Sequence, residues 1–217
     1  MKRSTLAPAL LLMTAFACLP ALAAQEVYTL DPAHTSVGFT IRHIVSRVPG
    51  HFNTFSGRIT LDRENLAAST VTAEIDAKSI DTGDEKRDDH LRTPQFFDVE
   101  KFPKIRFVSK SVTVAAKDRL KVAGDLTMKG VTKPAVLDVS ILGFAGPKAG
   151  FEAKTTINRQ DFGVSWNVLL ESGRVLGDDV EITILVEANN EAAAKDATGK
   201  AKPEAPTPAD PKPAAGK

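Results

Sequence analysis

Four histidines are the side chains best suited to metal binding in this chain: His34, His43, His51 and His90. A zinc site would need three or four ligands to converge. His34 and His51 lie in predicted loops, and His43 has the outward parity of a predicted strand. We therefore predict no metal site.

Acidic pairs and one serine are the remaining candidates for catalysis. Residues adjacent in sequence point apart in strands and do not face each other in helices. Ser165 lacks the flanking pattern of a nucleophile elbow. We therefore predict that the protein is not an enzyme and needs no cofactor beyond a bound lipid. The acidic pairs are Asp84/Glu85, Asp88/Asp89 and Asp178/Asp179.

His90 and Arg92 stand apart because they lie between a predicted helix and an aromatic segment. An Arg guanidinium offers planar, multi-donor recognition of phosphate. We predict that both side chains contact a ligand head group. The alternative is that they cap the helix C-terminus.

The helix itself is predicted from a capping box, with Thr82 as N-cap and Glu85 three residues later. It should end before Thr93, because Pro94 disfavours a helical residue ahead of it. The aromatic segment, residues 90–107, follows directly. Its rings must be buried, so we predict that it packs as a plug or lid on a sheet. They are Phe96, Phe97, Phe102 and Phe107.

Apolar and polar residues alternate along most of the remaining chain, which is typical of strands with one buried face. Turn residues, among them Val48, Pro49 and Gly50, separate the runs, and no strand–helix alternation suggests a parallel sheet. Eight or more consecutive strands favour an antiparallel barrel or a sandwich. The alternating runs span residues 37–42, 58–62, 71–78, 104–108, 112–114, 122–128, 137–141, 151–158 and 182–187.

The interior of this sheet is predicted to be hollow. Small residues such as Gly38, Gly124 and Ala73 lie at or beside inward positions, and the chain holds 11 Phe but one Tyr and one Trp. Composition leaves a tightly packed core open as an alternative. A hollow interior would suit an apolar chain. Its predicted lining is Phe39, Ile41, Phe52, Phe55, Ile75, Phe96, Phe97, Phe107, Leu126, Met128, Phe151, Ile157, Phe162 and Trp166.

An ordered set of motifs resembles the YceI-like family of exported, lipocalin-like, polyisoprenoid-binding proteins. The resemblance implies a mainly β fold over residues 25–188: an extended antiparallel eight-stranded barrel with a helix near its mouth. It also implies an elongated cavity for an isoprenoid or similar amphiphile, often a dimer, and no catalytic machinery. The motifs are residues 28–31, 34–39, 50–57, 79–82, 90–92, 96–98, 102–103, 124–134 and 161–164.

The first 23 residues have the features of a cleaved secretory signal peptide: Lys2 and Arg3, an apolar run, and an A-x-A site at residues 21–23. The only cysteine, Cys18, would be discarded with it; acylation of Cys18 in a lipoprotein is the alternative. We therefore expect a periplasmic protein with no thiol, and no membrane span beyond the leader.

Residues 189–217 are rich in Ala, Lys and Pro and are predicted to be disordered. Loss of the leader would change the formal charge from +1 to about −1, which argues against nucleic-acid binding. The expected function is a carrier of a polyisoprenoid, isoprenoid quinone or fatty-acid-like amphiphile, with transient membrane contact and a homodimer as further expectations. The alternative is a stress-response or protein-interaction domain with a solid core.

Overall fold

The computed structural model describes residues 25–170 and 173–194. The predicted signal peptide and the tail from residue 195 onward lie outside them. The fold is mainly β, and the described residues include the helix α1 (Glu85–Arg92) and three short 3-10 turns. The strands are β1 (Glu26–Leu30), β2 (Ser36–His43), β3 (Ser46–Phe52), β4 (Phe55–Leu61), β5 (Thr70–Asp76), β6 (Ile80–Asp81), β7 (Lys104–Ala116), β8 (Arg119–Met128), β9 (Val131–Ala145), β10 (Lys148–Asn158), β11 (Leu169–Leu170), β12 (Gly173–Arg174) and β13 (Leu176–Asn190).

Eight strands close into an antiparallel barrel, which confirms the predicted fold class. Their order around the barrel is β1-β4-β5-β7-β8-β9-β10-β13, and β13 pairs back onto β1. Closure leaves no free edge around this ring. The long strands β7 to β10 are joined by short turns and form most of the wall.

The wall between β13 and β4 is built differently at the two ends of the barrel. Toward one end β1 fills the gap, pairing with β4 on one side and with the last residues of β13 on the other. Toward the other end the β2–β3 hairpin takes this place beside β13, and β6 pairs with β3. We call these the β1 end and the helix end, because α1 contacts β6.

The helix begins at a different residue from the predicted one. Asp84 is the N-cap and accepts a hydrogen bond from the Arg87 backbone N–H at 3.0 Å. Thr82 instead donates its backbone N–H and hydroxyl to the buried carboxylate of Asp88, at 3.0 and 2.5 Å. The predicted capping box is therefore wrong, although the helix ends before Thr93 as predicted.

Two further boundaries differ from the sequence predictions. Pro49 and Gly50 were predicted as a turn but lie inside β3. Proline is tolerated there because β3 pairs with β6 only at His51 and Phe52, so one edge of the strand is open at Pro49. The predicted tail boundary is also wrong, since β13 continues through Asn190.

The buried side chains form one apolar cluster at the helix end and two in the remainder of the barrel. The helix-end cluster includes Phe52, Phe96 and Phe162. The aromatic segment therefore packs on the barrel as predicted. Within the residues described, no helix has the length and hydropathy required to cross a membrane.

Candidate ligand cavity

The barrel encloses an elongated cavity of about 470 Å³. It extends from Leu61 and Leu120, deep in the barrel, to His90 and Trp166 at the helix end. Its wall is almost entirely aliphatic and aromatic. This volume lies within the range of roughly 300–1,000 Å³ typical of small-molecule sites.

Several side chains on the inner face of the barrel wall keep part of their surface accessible, although they point away from the outer solvent. Phe39, Ile41 and Ile75 line the cavity and are only half-buried. A core filled to ordinary protein density would leave such side chains almost no accessible surface. The alternative of a solid core is therefore wrong for this barrel.

Gly124, which was predicted to leave space, is in fact covered by a ring, and so is Gly50. A Cβ at Gly124 would lie 2.6 Å from the Phe107 ring and 2.4 Å from the Val108 carbonyl oxygen. A Cβ at Gly50 would lie 2.3 Å from the ring of Phe39, its cross-strand partner. These glycines let two lining rings lie flat against the wall. The hollow is thus shaped by the rings and is not a direct result of missing side chains.

The helix end is closed by aromatic packing. The rings of His90 and Phe96 lie 5.2 Å from that of Trp166, and His90 contacts Phe96 edge-on at 5.0 Å. Phe97 packs edge-on against Phe52 at 6.0 Å. The His90 Nε2 lies 2.5 Å from the Gln95 side-chain oxygen, which fixes the imidazole over the cavity. Side chains from α1 and two loops therefore form the cover of the cavity.

A buried arginine fixes the Trp166 loop. Arg159 is 3 % exposed and donates to the backbone carbonyls of Val164, Trp166 and Gly177 at 2.6–2.9 Å. It also lies 3.3 Å from the Asp178 carboxylate, which compensates its buried charge. Sequence reasoning missed Arg159, because its partners, at positions 164–166 and 177–178, come together only in the folded chain.

The polar group at the mouth is Arg87, not Arg92. Arg92 donates to the carbonyls of Lys78 and Ile80 and to Asp89, and its side chain is not part of the cavity wall. Arg87 does line the cavity together with Thr82 and His90. Its Nε and Nη2 donate to the Thr82 hydroxyl and carbonyl oxygens at 2.7 and 2.8 Å.

Helix geometry explains this correction. Arg87, His90 and Leu91 are spaced three and four residues apart and share the helix face that points into the cavity. Arg92 lies two residues after His90 and therefore on another face. The 3.6-residue period was the signal available in the sequence.

The remaining predicted lining residues fall into two groups. Phe55 and Phe162 do not line the cavity: Phe55 packs against the helix-end cluster, and Phe162 is buried in a 3-10 turn beyond β10. Ile182, Ile184 and Val186 of β13 line it but were not predicted as site residues. His43 also lines it, so the outward parity predicted for His43 is wrong: two residues after Ile41, it lies on the same face of β2. The lining predictions that match the wall are Phe39, Ile41, Phe52, Ile75, Phe96, Phe97, Phe107, Leu126, Met128, Phe151, Ile157 and Trp166.

One histidine does converge with carboxylates, outside the cavity. Single ligand atoms of Asp31, His34 and Glu187 lie within 4.8 Å of one another. The hydrogen bond from His34 lowers the pKa of Asp31, and Glu187 is already paired with Lys148, whose pKa it raises. The Asp31 and Glu187 backbones are also hydrogen-bonded at 2.9 Å. This arrangement joins the β1–β2 turn to β13.

A closed antiparallel barrel around an apolar, elongated cavity defines a lipocalin-like binding fold. The chain belongs to the YceI family, since the YceI-like domain model matches residues 28–188. A UPF0312 protein of Staphylococcus aureus is 39 % identical over 168 residues, covering 74 % of this chain and 95 % of that protein. A UPF0312 protein of Vibrio vulnificus is 37 % identical over 172 residues, covering 76 % and 89 %.

Solved structures share the fold. BcnA of Burkholderia cenocepacia superposes with a TM-score of 0.69 at 25 % identity, covering 74 % of this chain and 99 % of that one. The YCEI protein of Campylobacter jejuni gives 0.59 at 35 % identity, covering 76 % and 98 %. A polyisoprenoid binding domain from Saccharophagus degradans gives 0.59 at 15 % identity, covering 75 % and 98 %. At that identity the likeness concerns the fold alone.

Proposed function

We propose that the protein is a non-catalytic carrier that holds a long apolar chain in the barrel cavity. The ligand class is a polyisoprenoid, an isoprenoid quinone or a fatty-acid-like amphiphile. The observation that carries this proposal is the elongated cavity of about 470 Å³ with its aliphatic and aromatic wall. The binding of polyisoprenoid by a domain of the same fold supports it.

Apolar burial provides the driving force. Each methylene moved from water into the cavity contributes about 0.8 kcal/mol. The cavity corresponds to roughly 15 water molecules at ~30 Å³ each, so it accommodates a chain of about that many carbon atoms. Ordering a flexible chain offsets part of this gain. Selection is therefore by chain length and shape, and a longer isoprenoid leaves its remainder outside the mouth.

A polar filter at the mouth completes the proposed site. Thr82, Arg87 and His90 lie where a head group would emerge from the cavity. Arg87 is exposed, so its guanidinium can exchange water for a phosphate or carboxylate without a large desolvation cost. Replacing Arg87 with Gln should weaken binding of an ionised fatty acid more than binding of the corresponding alcohol. Equal weakening of both would contradict a role in charge recognition.

The proposed setting is the periplasm, reached by way of the signal peptide predicted in residues 1–23, and the proposed assembly is a homodimer. Fractionation of cells that express the full chain tests the first point, and sedimentation equilibrium tests the second.

The decisive test of ligand binding is organic extraction of freshly purified protein, followed by mass spectrometry. A bound chain molecule at near-stoichiometric amount is expected. Repeated absence of any small molecule, together with failure of the fluorescent fatty acid cis-parinaric acid to bind, would contradict the proposal.

A further inference from the structure

Two pairs of exposed apolar residues lie side by side at the helix end. The tip of the β2–β3 hairpin exposes Ile44 and Val45, at 39 % and 97 %, and the start of β11 exposes Val168 and Leu169, at 42 % and 79 %. The Ile44 N–H donates to the Val175 carbonyl at 2.8 Å, and the Val175 N–H donates to the Val168 carbonyl at 3.0 Å. These bonds join the two pairs into one surface, here called the apolar rim: Ile44, Val45, Val168 and Leu169.

The apolar rim is continuous with the cavity wall. The cavity is lined by His43 and Val48, which flank the β2–β3 hairpin tip. It is also lined by Trp166 and Leu176, which lie close in sequence to the two ends of the β11–β12 hairpin. Leu176 is also the cross-strand partner of His43. An apolar path therefore leads from the cavity mouth to the most exposed side chains at this end.

The β2–β3 turn carries the apolar residues Ile44 and Val45, although its backbone conformation favours Gly or Asn. His43 pairs with Ser46, so Ile44 and Val45 form a two-residue loop. Ile44 has φ of 51°, a conformation that turns of this type usually assign to Gly or Asn and that strains a β-branched residue. Strain of this kind is often retained at functional positions.

Two cations lie directly behind the hairpin tip. Arg42 and Arg47 are cross-strand partners, and both are exposed. Like charges placed opposite each other are unfavourable in a sheet unless an anion pairs with them. Glu181 pairs with Arg47 at 2.5 Å, while Arg42 donates to the Ile44 carbonyl. The surface groove that contains these two arginines and Glu181 is also lined by Asp178 and Asp179 of β13. If the apolar rim enters the outer layer of a membrane, Arg42 and Arg47 lie at the level of the lipid phosphates.

We propose that the apolar rim docks on an anionic lipid bilayer and that cargo enters or leaves the cavity there without crossing water. This inference rests on the proposed carrier function. The occupant is a bilayer and not a second copy of the chain, because four aliphatic side chains offer a few hundred Å² at most. A stable dimer needs about 800 Å² from each partner.

Flotation with vesicles of phosphatidylethanolamine and phosphatidylglycerol tests the docking. The double variant Val45→Asp, Leu169→Asp should lose vesicle binding by roughly tenfold or more, since burying one Val or Leu side chain is worth about that factor. The matched control is Leu142→Asp, because Leu142 is 63 % exposed near the far end of β9. It should float like the parent protein. Equal flotation of all three proteins, or equal loss in both variants, would overturn the proposal.

A second measurement reports insertion directly. In a Trp166→Phe background, Val45→Trp places the only tryptophan at the hairpin tip. Its emission should shift to the blue when these vesicles are added, and the shift should weaken at high salt. An unchanged spectrum would contradict docking through this tip.

Ligand binding is measured separately, so that the two proposals can fail independently. Cis-parinaric acid added in solution should load the parent protein and the double variant equally. The double variant could lose vesicle binding while neither protein binds cis-parinaric acid. That result would support docking through the apolar rim and contradict the carrier function. The parent protein could instead fail to float and form a dimer that the double variant no longer forms. That result would overturn bilayer docking and indicate self-association through the apolar rim.

Discussion

The two ends of the barrel are closed by different kinds of interaction. At the β1 end, backbone hydrogen bonds tie β1 to both neighbours, and Tyr28, Leu61 and Ala188 are almost completely buried. At the helix end, the cover consists of packed rings such as His90 and Trp166, held by loops. A strand pairing must break several backbone hydrogen bonds to open, whereas a ring cover opens by rotation of side chains and loops.

The helix end is the proposed entrance, because the β1 end is the more firmly closed of the two. The β1 end is also fixed by polar contacts: the Tyr28 hydroxyl bonds to Glu26 and accepts from Arg63 at 2.6 Å, and Arg63 lies 4.0 Å above the Phe144 ring. The polar cavity residues Arg87 and His90 lie at the opposite end. The stabilising contacts are therefore concentrated at one end, and we propose that the ligand enters at the other.

The largest expected effect is on stability at the β1 end. Tyr28→Ala should lower the free energy of unfolding by about 3–5 kcal/mol, because it removes a fully buried ring from a packed cluster. Phe97→Ala should cost only about 1–2 kcal/mol, since part of that ring already faces the hollow. Urea unfolding of both variants provides the comparison. Equal losses would mean that the two ends are equally well packed.

The next largest effect is expected on the amount of ligand bound. Two neighbouring threonines of β10 provide the test. Thr155 lines the cavity, whereas Thr156 is exposed on the outer face. Thr155→Trp should reduce cis-parinaric acid loading by about tenfold or more, because the indole occupies space that the chain needs. Thr156→Trp should load like the parent protein. Similar loading of the two variants would show that the chain does not bind in the barrel.

A smaller effect distinguishes residues of the helix end. Phe97→Ala removes a ring from the cavity wall and should weaken loading by roughly fivefold to tenfold. Trp166→Phe keeps an aromatic ring against Phe96 and should change loading by less than about twofold. Fluorescence titration measures both. Indistinguishable affinities would contradict the assignment of Phe97 to the ligand surface.

The smallest effect lies where the two ends meet, in the β1–β2 turn. The His34 hydrogen bond lowers the pKa of Asp31, so the ionised form adds stability at neutral pH that is lost as the pH falls through this lowered folded-state pKa. Asp31→Asn should slightly lower stability at pH 7 and make the acid decline shallower. An unchanged pH profile of unfolding would show that this turn does not contribute.

Much of the wall could be predicted from the sequence, because period-two alternation along Val37, Phe39 and Ile41 is a local property. The prediction that the sheet closes into a barrel came from the family resemblance, because alternation alone also allows a sandwich. Arg87 could have been predicted from helix periodicity. The place of Pro49 within β3 could not, because it depends on which edge of that strand is left unpaired.

The proposed carrier function requires that a ligand fills the barrel interior of the native protein. Native mass spectrometry of freshly isolated protein, compared with the same sample after denaturation, measures this directly. We expect a native mass above that of the chain, and release on denaturation of an apolar chain molecule that Thr155→Trp no longer retains. A native mass equal to that of the chain alone in both proteins, with no loading by added lipid, would contradict the account.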